Sequence, residues 1–394
     1  MPKSIVYSLC ACLLCYGATA QSLSIEQILH AVEQNNPGLL ALERYQEGRR
    51  LELAGTNTLP DPQLGGYYMP FGEHSAGDYT EFEITQSFDF PGVYAARKGL
   101  NEQRLAAFDM EYQVKRQQLL TETRSHCLRL IYLNKRIDQA ALRLAQAQEV
   151  YEQVQKLFEQ EQVGILALNK ARIAWMQEQF AQQELKSEKE GILILLQNLN
   201  GGEAIVFETD TYPGEAHLAN PDSIWADKLH KDPALQHLQQ QAAIAVQQLR
   251  LSRAQTLPGF SAGINRQGVQ GAVYSGLYAG IRLPLWSKRH SVKAASLQLD
   301  YQQSLIAAKT DSKRAQFEKQ CNDYHLRLSR FEEYGATLAD IDSEALLYKA
   351  YQMGELSFLD YYGELQFYRQ AKDALFEMEY ELYRAQNELL NHLL

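Results

Sequence analysis

The chain has 394 residues, 45% hydrophobic and 22% charged, and its 48 acidic against 38 basic side chains give a net charge of −10. Mean hydropathy is −0.37 and no run of 18 apolar residues occurs beyond the extreme N-terminus, which excludes a polytopic helical membrane protein but not a membrane β-barrel. The acidic balance, without a Lys/Arg cluster, argues against nucleic acid as a partner.

In chain order, Lys3 precedes an apolar stretch from Ile5 to Gly17 that runs into Ala18-Thr19-Ala20, so residues 1–20 read as a secretory signal. Leu14 stands before Cys15 where a lipid-attachment motif has a small residue, so no lipid anchor is expected. Beyond this segment Cys127 and Cys321 fall inside helical patterns and read as packed thiols rather than a bridge.

The remainder is a tandem repeat: a first unit over 21–200, a linker over 201–221 and a second unit over 222–394. Each unit opens with a helix of about 35 residues, 24–57 and 222–256, carrying Asn36-Pro37 or Asp232-Pro233 and ending at Leu59-Pro60 or Leu257-Pro258. Two strand-like runs follow, 62–71 and 79–90 in the first unit, 260–267 and 273–283 in the second. Phe82, Ile84, Phe88 and Phe90 alternate with Glu81, Glu83, Thr85, Ser87 and Asp89; Val273, Leu277, Ile281 and Leu283 alternate with Tyr274, Tyr278 and Arg282. One face is apolar and the other polar, at about the 9–11 residues that cross a bilayer when tilted, although a soluble sheet fits the same alternation.

A long helix follows each strand pair, about 70 residues or about 100 Å from Pro91 to Gly164. Its heptad seam runs through Leu130, Leu133, Ile137, Ala140, Leu144, Ala147, Tyr151, Val154 and Phe158. Shifted by 194 residues, the seam reappears at Tyr324, Arg327, Phe331, Tyr334, Leu338, Ile341, Ala345 and Tyr348, and Cys127 maps onto Cys321. Gly164 and Gly354 read as C-caps of these rods; their separation of 190 predicts a second rod about one turn shorter at its tip. Closing helices cover 166–200 and 356–393, and Ile205 to Thr209 in the linker reads as a short strand. Four strands cannot close a barrel, and lipid tolerates no open edge, so a membrane reading requires several chains to share one barrel.

The duplicated helix, strand pair, long helix, glycine and helix, with Leu-Pro before the strands and apolar-Pro after them, resembles the TolC-type outer-membrane efflux factor family across the mature chain. Asn36-Pro37 and Leu59-Pro60-Asp61-Pro62-Gln63-Leu64 are most similar to its heavy-metal CzcC/CusC branch. The resemblance implies a mainly α tandem-repeat fold with membrane β: a homotrimer whose long coiled-coil helices form a periplasmic α-barrel and whose four strands per chain join a shared 12-stranded β-barrel. It implies a passive outer-membrane exit duct of a tripartite efflux system. A periplasmic adaptor and an inner-membrane pump, of the RND type, are its partners, and heavy-metal cations a candidate cargo.

It also implies roles for particular residues. Asp360, six after Gly354, would line the periplasmic gate, and Lys170, six after Gly164, would pair with it across the closed tip or remain solvated. Gly164, Leu166, Gly354 and Leu356 would meet the adaptor. Glu81, Glu83, Asp89 and Arg282 would face the lumen, and Phe82, Ile84, Phe88, Phe90, Leu277, Ile281 and Leu283 the outer-membrane lipid. Multidrug efflux, type I protein secretion and a soluble periplasmic coiled-coil or adaptor protein are the alternatives. The nine His are scattered, no metal-binding spacing or nucleophile motif occurs, and neither an enzyme nor a cofactor is expected.

Overall fold

The computed structural model describes residues 22–70, 77–269, 271–286, 288–339 and 343–394. The signal segment, Phe71 and Ile341 lie outside the described residues, as do the side chains of Ala345 and Phe358.

The first unit opens with α1 (Ile25–Asn35) and α2 (Pro37–Gly55) rather than one helix. Ser24 and Gln27 form a capping box on α1. At the break, Pro37 lacks an N–H and holds Asn36 in an extended conformation (ψ 118°), while Asn36 Oδ1 accepts from Gly38 N (3.0 Å) and Leu39 N (3.1 Å). The second unit has the same joint. Its α5 (Pro221–Lys231) and α6 (Pro233–Ala254) meet at Asp232, whose Oδ1 accepts from Ala234 N at 2.8 Å. Proline at the first helical position ends one helix and presets the next, which is why the predicted 35-residue helices divide.

Strands β1 (Gln63–Met69), β2 (Tyr79–Phe88), β3 (Gly259–Val269) and β4 (Ala272–Arg282) form one antiparallel sheet in the order β1-β2-β3-β4. From β2 the chain passes into α3 (Pro91–Glu159), 69 residues long, and returns along it as α4 (Ile165–Leu199). The second unit continues from β4 into α7 (Ser291–Ala339), α8 (Ser343–Gln352) and α9 (Phe358–Leu389), with a closing 3-10 turn at Asn391–Leu393. Helix α3 packs against α4, α6 and α9, and α7 against α6 and α9. The predicted seam residues Leu130, Leu133, Ala140, Ala147 and Val154 are buried there. Arg327, the polar member of the second seam, donates to Glu381 on α9 at 2.9 Å.

The main core cluster joins Ile28 and Val32 of α1, Leu130, Ile131 and Leu133 of α3, Leu196 of α4 and Ile205 and Phe207 of the linker. The linker has the burial alternation of a strand but no ladder. Val206 O accepts from Leu23 N (3.1 Å), while the neighbouring α3 spends its own N–H groups internally. Cys127 and Cys321 are both buried and free, in separate clusters, and burial pushes the Cys127 thiol up to about 12.

The two tips end in the same motif. After α3, Glu161 N donates to Phe158 O and Gln162 N to Leu157 O, both at 2.9 Å; after α8, Gly354 N donates to Tyr351 O and Glu355 N to Ala350 O, both at 3.0 Å. These are Schellman caps with Glu161 (φ 60°) and Gly354 (φ 75°) in the left-handed region. Glu161, not Gly164, is therefore the counterpart of Gly354, 193 residues apart. Gly164 (φ −83°) is the N-cap of α4 and corresponds to Ser357, the N-cap of α9. Val163 and Leu356, at the same spacing, both pack into the cluster under the tips. The second rod is thus not a turn short at its tip. It starts late at the strand end, at Ser291 instead of the repeat-equivalent Pro284.

A left-handed residue with a Cβ is strained by about 1–2 kcal/mol. Glu161→Gly is expected to stabilise the chain by about 1 kcal/mol and Gly354→Ala to destabilise it by a similar amount, read as opposite shifts in the guanidinium midpoint of the purified protein.

Candidate functional site: the two-faced sheet, the helical rods and their tips

The register sorts the sheet into two faces. Leu64, Ile84, Ile264 and Leu277 form one cross-strand row, and Phe88, Phe260 and Ile281 another on the same side. Phe82, Ile84, Leu277 and Ile281 are exposed on it, Leu277 at 90%. The opposite face carries Glu81 beside Tyr67, Gln267 and Tyr274, and Glu83 beside Asn265. Glu81 accepts from Tyr79 OH (2.6 Å), Gln267 Nε2 (3.4 Å) and Asn265 Nδ2. Four small or polar residues follow along that face, Thr85, Gly263, Ser87 and Ser261. The ladder ends at β1 and β4, whose outer edges have no partner among the described residues.

Three predicted face residues lie outside the strands. Phe90 caps α3 and packs against the buried trio Val93, Leu100 and Leu251, so it does not join the exposed apolar face; the Phe90-Pro91 step has already turned the chain into the helix. Leu283 follows β4 and is exposed. Asp89 sits at the junction of sheet and helix, clamped by Arg97 Nη2 (3.0 Å) and by the predicted polar-face residue Arg282 (2.8 Å). Its charge is thereby matched locally.

At the tips, Asp360 is exposed in the first turn of α9. Its backbone N donates to Ser357 Oγ (3.2 Å), and the Ser357 hydroxyl donates to Asp360 Oδ2 (2.6 Å), a capping arrangement favoured at a helix N-terminus. Lys170 is exposed on α4, and by the cap-to-cap correspondence its counterpart is Gly363, while Asp360 corresponds to Ala167. Among the described residues Lys170 and Asp360 form no ion pair. Leu166 is 73% exposed, whereas Leu356 packs inward as its counterpart Val163 does.

Pattern reading of the helices missed a charge ladder between the rods. Lys135 meets Glu379 (2.7 Å), Arg136 and Arg143 both meet Asp373 (3.2 and 2.8 Å), and Arg129 meets Glu188 (2.6 Å). Arg129 and Arg136 also lie over the Tyr132 ring, whose phenol burial pushes up to about 12. Lowest on the rods, Arg369 is 3% exposed and donates to Glu178 (2.8 Å) and Gln146 (2.9 Å), so α9 is tied to α4 and α3 at one point. Basic residues on one face of α3 and acidic ones on α9 are the signal; their partners lie over 200 residues away.

No family model and no curated protein matches the sequence. Solved structures do. The chain is similar to CusC, from a study of its folding and transmembrane channel formation, with a TM-score of 0.78 at 15% identity over 95% of this chain and 92% of that one. It is similar to the CmeC outer membrane channel of Campylobacter jejuni, with a TM-score of 0.70 at 16% identity over 93% and 85%. It is similar to the outer membrane protein VceC of Vibrio cholerae, with a TM-score of 0.72 at 13% identity over 94% and 95%. The chain has the fold of these channels along nearly its whole length, the fold that the sequence resemblance implied.

Removing Arg369 leaves the Glu178 carboxylate, 12% exposed, without its cation. Arg369→Ala is expected to cost about 3 kcal/mol, measured by denaturant unfolding.

Proposed function

We propose that the chain is the outer-membrane channel component of a tripartite efflux system, a passive homotrimeric duct for cargo delivered by an inner-membrane pump through a periplasmic adaptor. The observation that carries the reading is the sheet: an exposed apolar face, a polar face and two unpaired edges, on rods of about 100 Å, in the fold of outer-membrane channels. Pairing β4 of one copy with β1 of the next satisfies both edges, and three copies of a four-stranded sheet close a barrel of 12 strands. Phe82, Ile84, Leu277 and Ile281 then face lipid, while Glu81 and Glu83 line a wet, cation-favouring lumen. Asp89 and Arg282, already ion-paired, shape the lumen's inner rim without adding net charge.

Below the membrane the helices form the periplasmic duct, and the tips open and close it. Asp360 belongs to the closing ring, and Leu166, the exposed leucine of the first tip, leads the contact with the adaptor. Adaptor and pump bias the open state by binding it better than the closed one. The duct conducts and does no bond chemistry. The pump is of the RND type and heavy-metal cations are the cargo we favour, because Glu81 and Glu83 would attract cations; multidrug efflux is the second reading.

Deleting the protein from its host tests the function. Selective sensitivity to metal cations is expected; general sensitivity to dyes, detergents and antibiotics would move the cargo to amphiphiles, and accumulation of a secreted protein would replace efflux with secretion. Asp360→Asn removes the charge while keeping an oxygen to accept from the Ser357 hydroxyl, so it is expected to raise conductance of the resting channel several-fold in planar bilayers, and unchanged conductance refutes the gate assignment.

A further inference from the structure

Among the described residues, the apolar face of the sheet contains one misplaced cation. Arg266 of β3 pairs across the ladder with Phe82 on one side and Ser275 on the other, so it shares the face of Ile84, Ile264 and Leu277 rather than that of Glu81 and Glu83. Its side chain is exposed and makes no ion pair or hydrogen bond among the described residues. Guanidinium stays charged under all physiological conditions, and such a charge on a lipid-facing strand costs most at the bilayer midplane and least near the headgroups. An unpaired arginine among exposed apolar side chains is therefore a demand for an anion.

The surroundings describe that anion. Beside Arg266 lies a hollow of about 420 Å³ lined by the apolar Phe82, Ile264 and Leu277 together with Asn265, Ser275 and Gly276. It arises because the row Gly66, Phe82, Arg266, Ser275 has small residues at both ends. A cation next to an apolar trough suits an amphiphile with an anionic head and a hydrocarbon tail. Arg266 also lies near one rim, three residues before the end of β3 at Val269, about 10 Å along a tilted strand and so about 7 Å below the hairpin end. That end is opposite the helices. With the helices in the periplasm, as proposed above and as this inference requires, the rim belongs to the outer leaflet.

We infer that Arg266 and the adjoining hollow bind a phosphorylated glycolipid of the outer leaflet, the guanidinium holding a phosphate and the trough one acyl chain. Arg pairs with phosphate through two parallel N–H donors, which fixes the head while the chain lies along Ile264 and Leu277. Because β3 is an inner strand of the sheet, the site is complete in each chain and needs no neighbour to form.

The test is native mass spectrometry of the full-length assembly in detergent, titrated with diphosphoryl lipid A, with the same lipid stripped of phosphate, and with phosphatidylglycerol. Expected is saturation near one diphosphoryl lipid A per chain, about tenfold tighter than either comparison lipid, with that margin lost in Arg266→Gln. Phe82→Ala, which removes a wall but no charge, is expected to weaken binding about threefold and serves if Arg266→Gln does not assemble. Wild-type affinity in both variants overturns the site, and equal affinity for phosphatidylglycerol overturns the glycolipid assignment. Assembled, membrane-inserted channels with binding indifferent to Arg266 refute only this inference. A wild-type chain that neither assembles nor inserts refutes the channel reading and this inference together.

Discussion

Two rows of backbone groups at the edges of β1 and β4 organise the proposed assembly. In water an open edge is a liability that solvent relieves; in hydrocarbon each unpaired N–H or C=O costs several kcal/mol, and nothing in the bilayer can satisfy it. A sheet of four strands can meet that demand only by meeting itself. The alternation of apolar and polar residues and the continuous row from Leu64 to Leu277 fit a closed sheet with lipid on one face and water on the other. In the proposed assembly the helices would share the symmetry of the barrel, since each strand pair is followed by its own rod.

The rods solve a different problem. A heptad seam alone permits sliding, because one leucine layer resembles the next. The ladder of Lys135, Arg136 and Arg143 on α3 with Asp373 and Glu379 on α9, ending in the buried Arg369 and Glu178 pair, gives each layer an address. Such pairs add little to stability at the surface and more to register, the role for which polar groups in helical interfaces are best attested.

Much of this was legible in the chain because period-2 alternation and heptad spacing are local patterns that survive without knowledge of the partner. The order of elements, the two-faced strands and the seam from Leu130 to Val154 belong to that class. A pattern that marks left-handed caps by glycine misaligns the tips: the first tip places Glu161 in the left-handed position and uses Gly164 to start α4, so Lys170 and Asp360, each six residues after a glycine, are not counterparts. Asn36-Pro37 and Asp232-Pro233 were visible but read through, and Phe90 followed the strand's alternation one step past where the helix claims it. The ladder and Arg266 were out of reach, since each depends on which distant residue stands opposite.

The two proline joints have a mechanical meaning. Asn36 and Asp232 end one helix and cap the next, so among the described residues no backbone hydrogen bond runs past either joint from one helix into the other. Alongside the first joint runs α3, which continues for 69 residues without interruption. Each unit's opening helix pair is thus a beam with a pin in it, splinted by an unbroken neighbour.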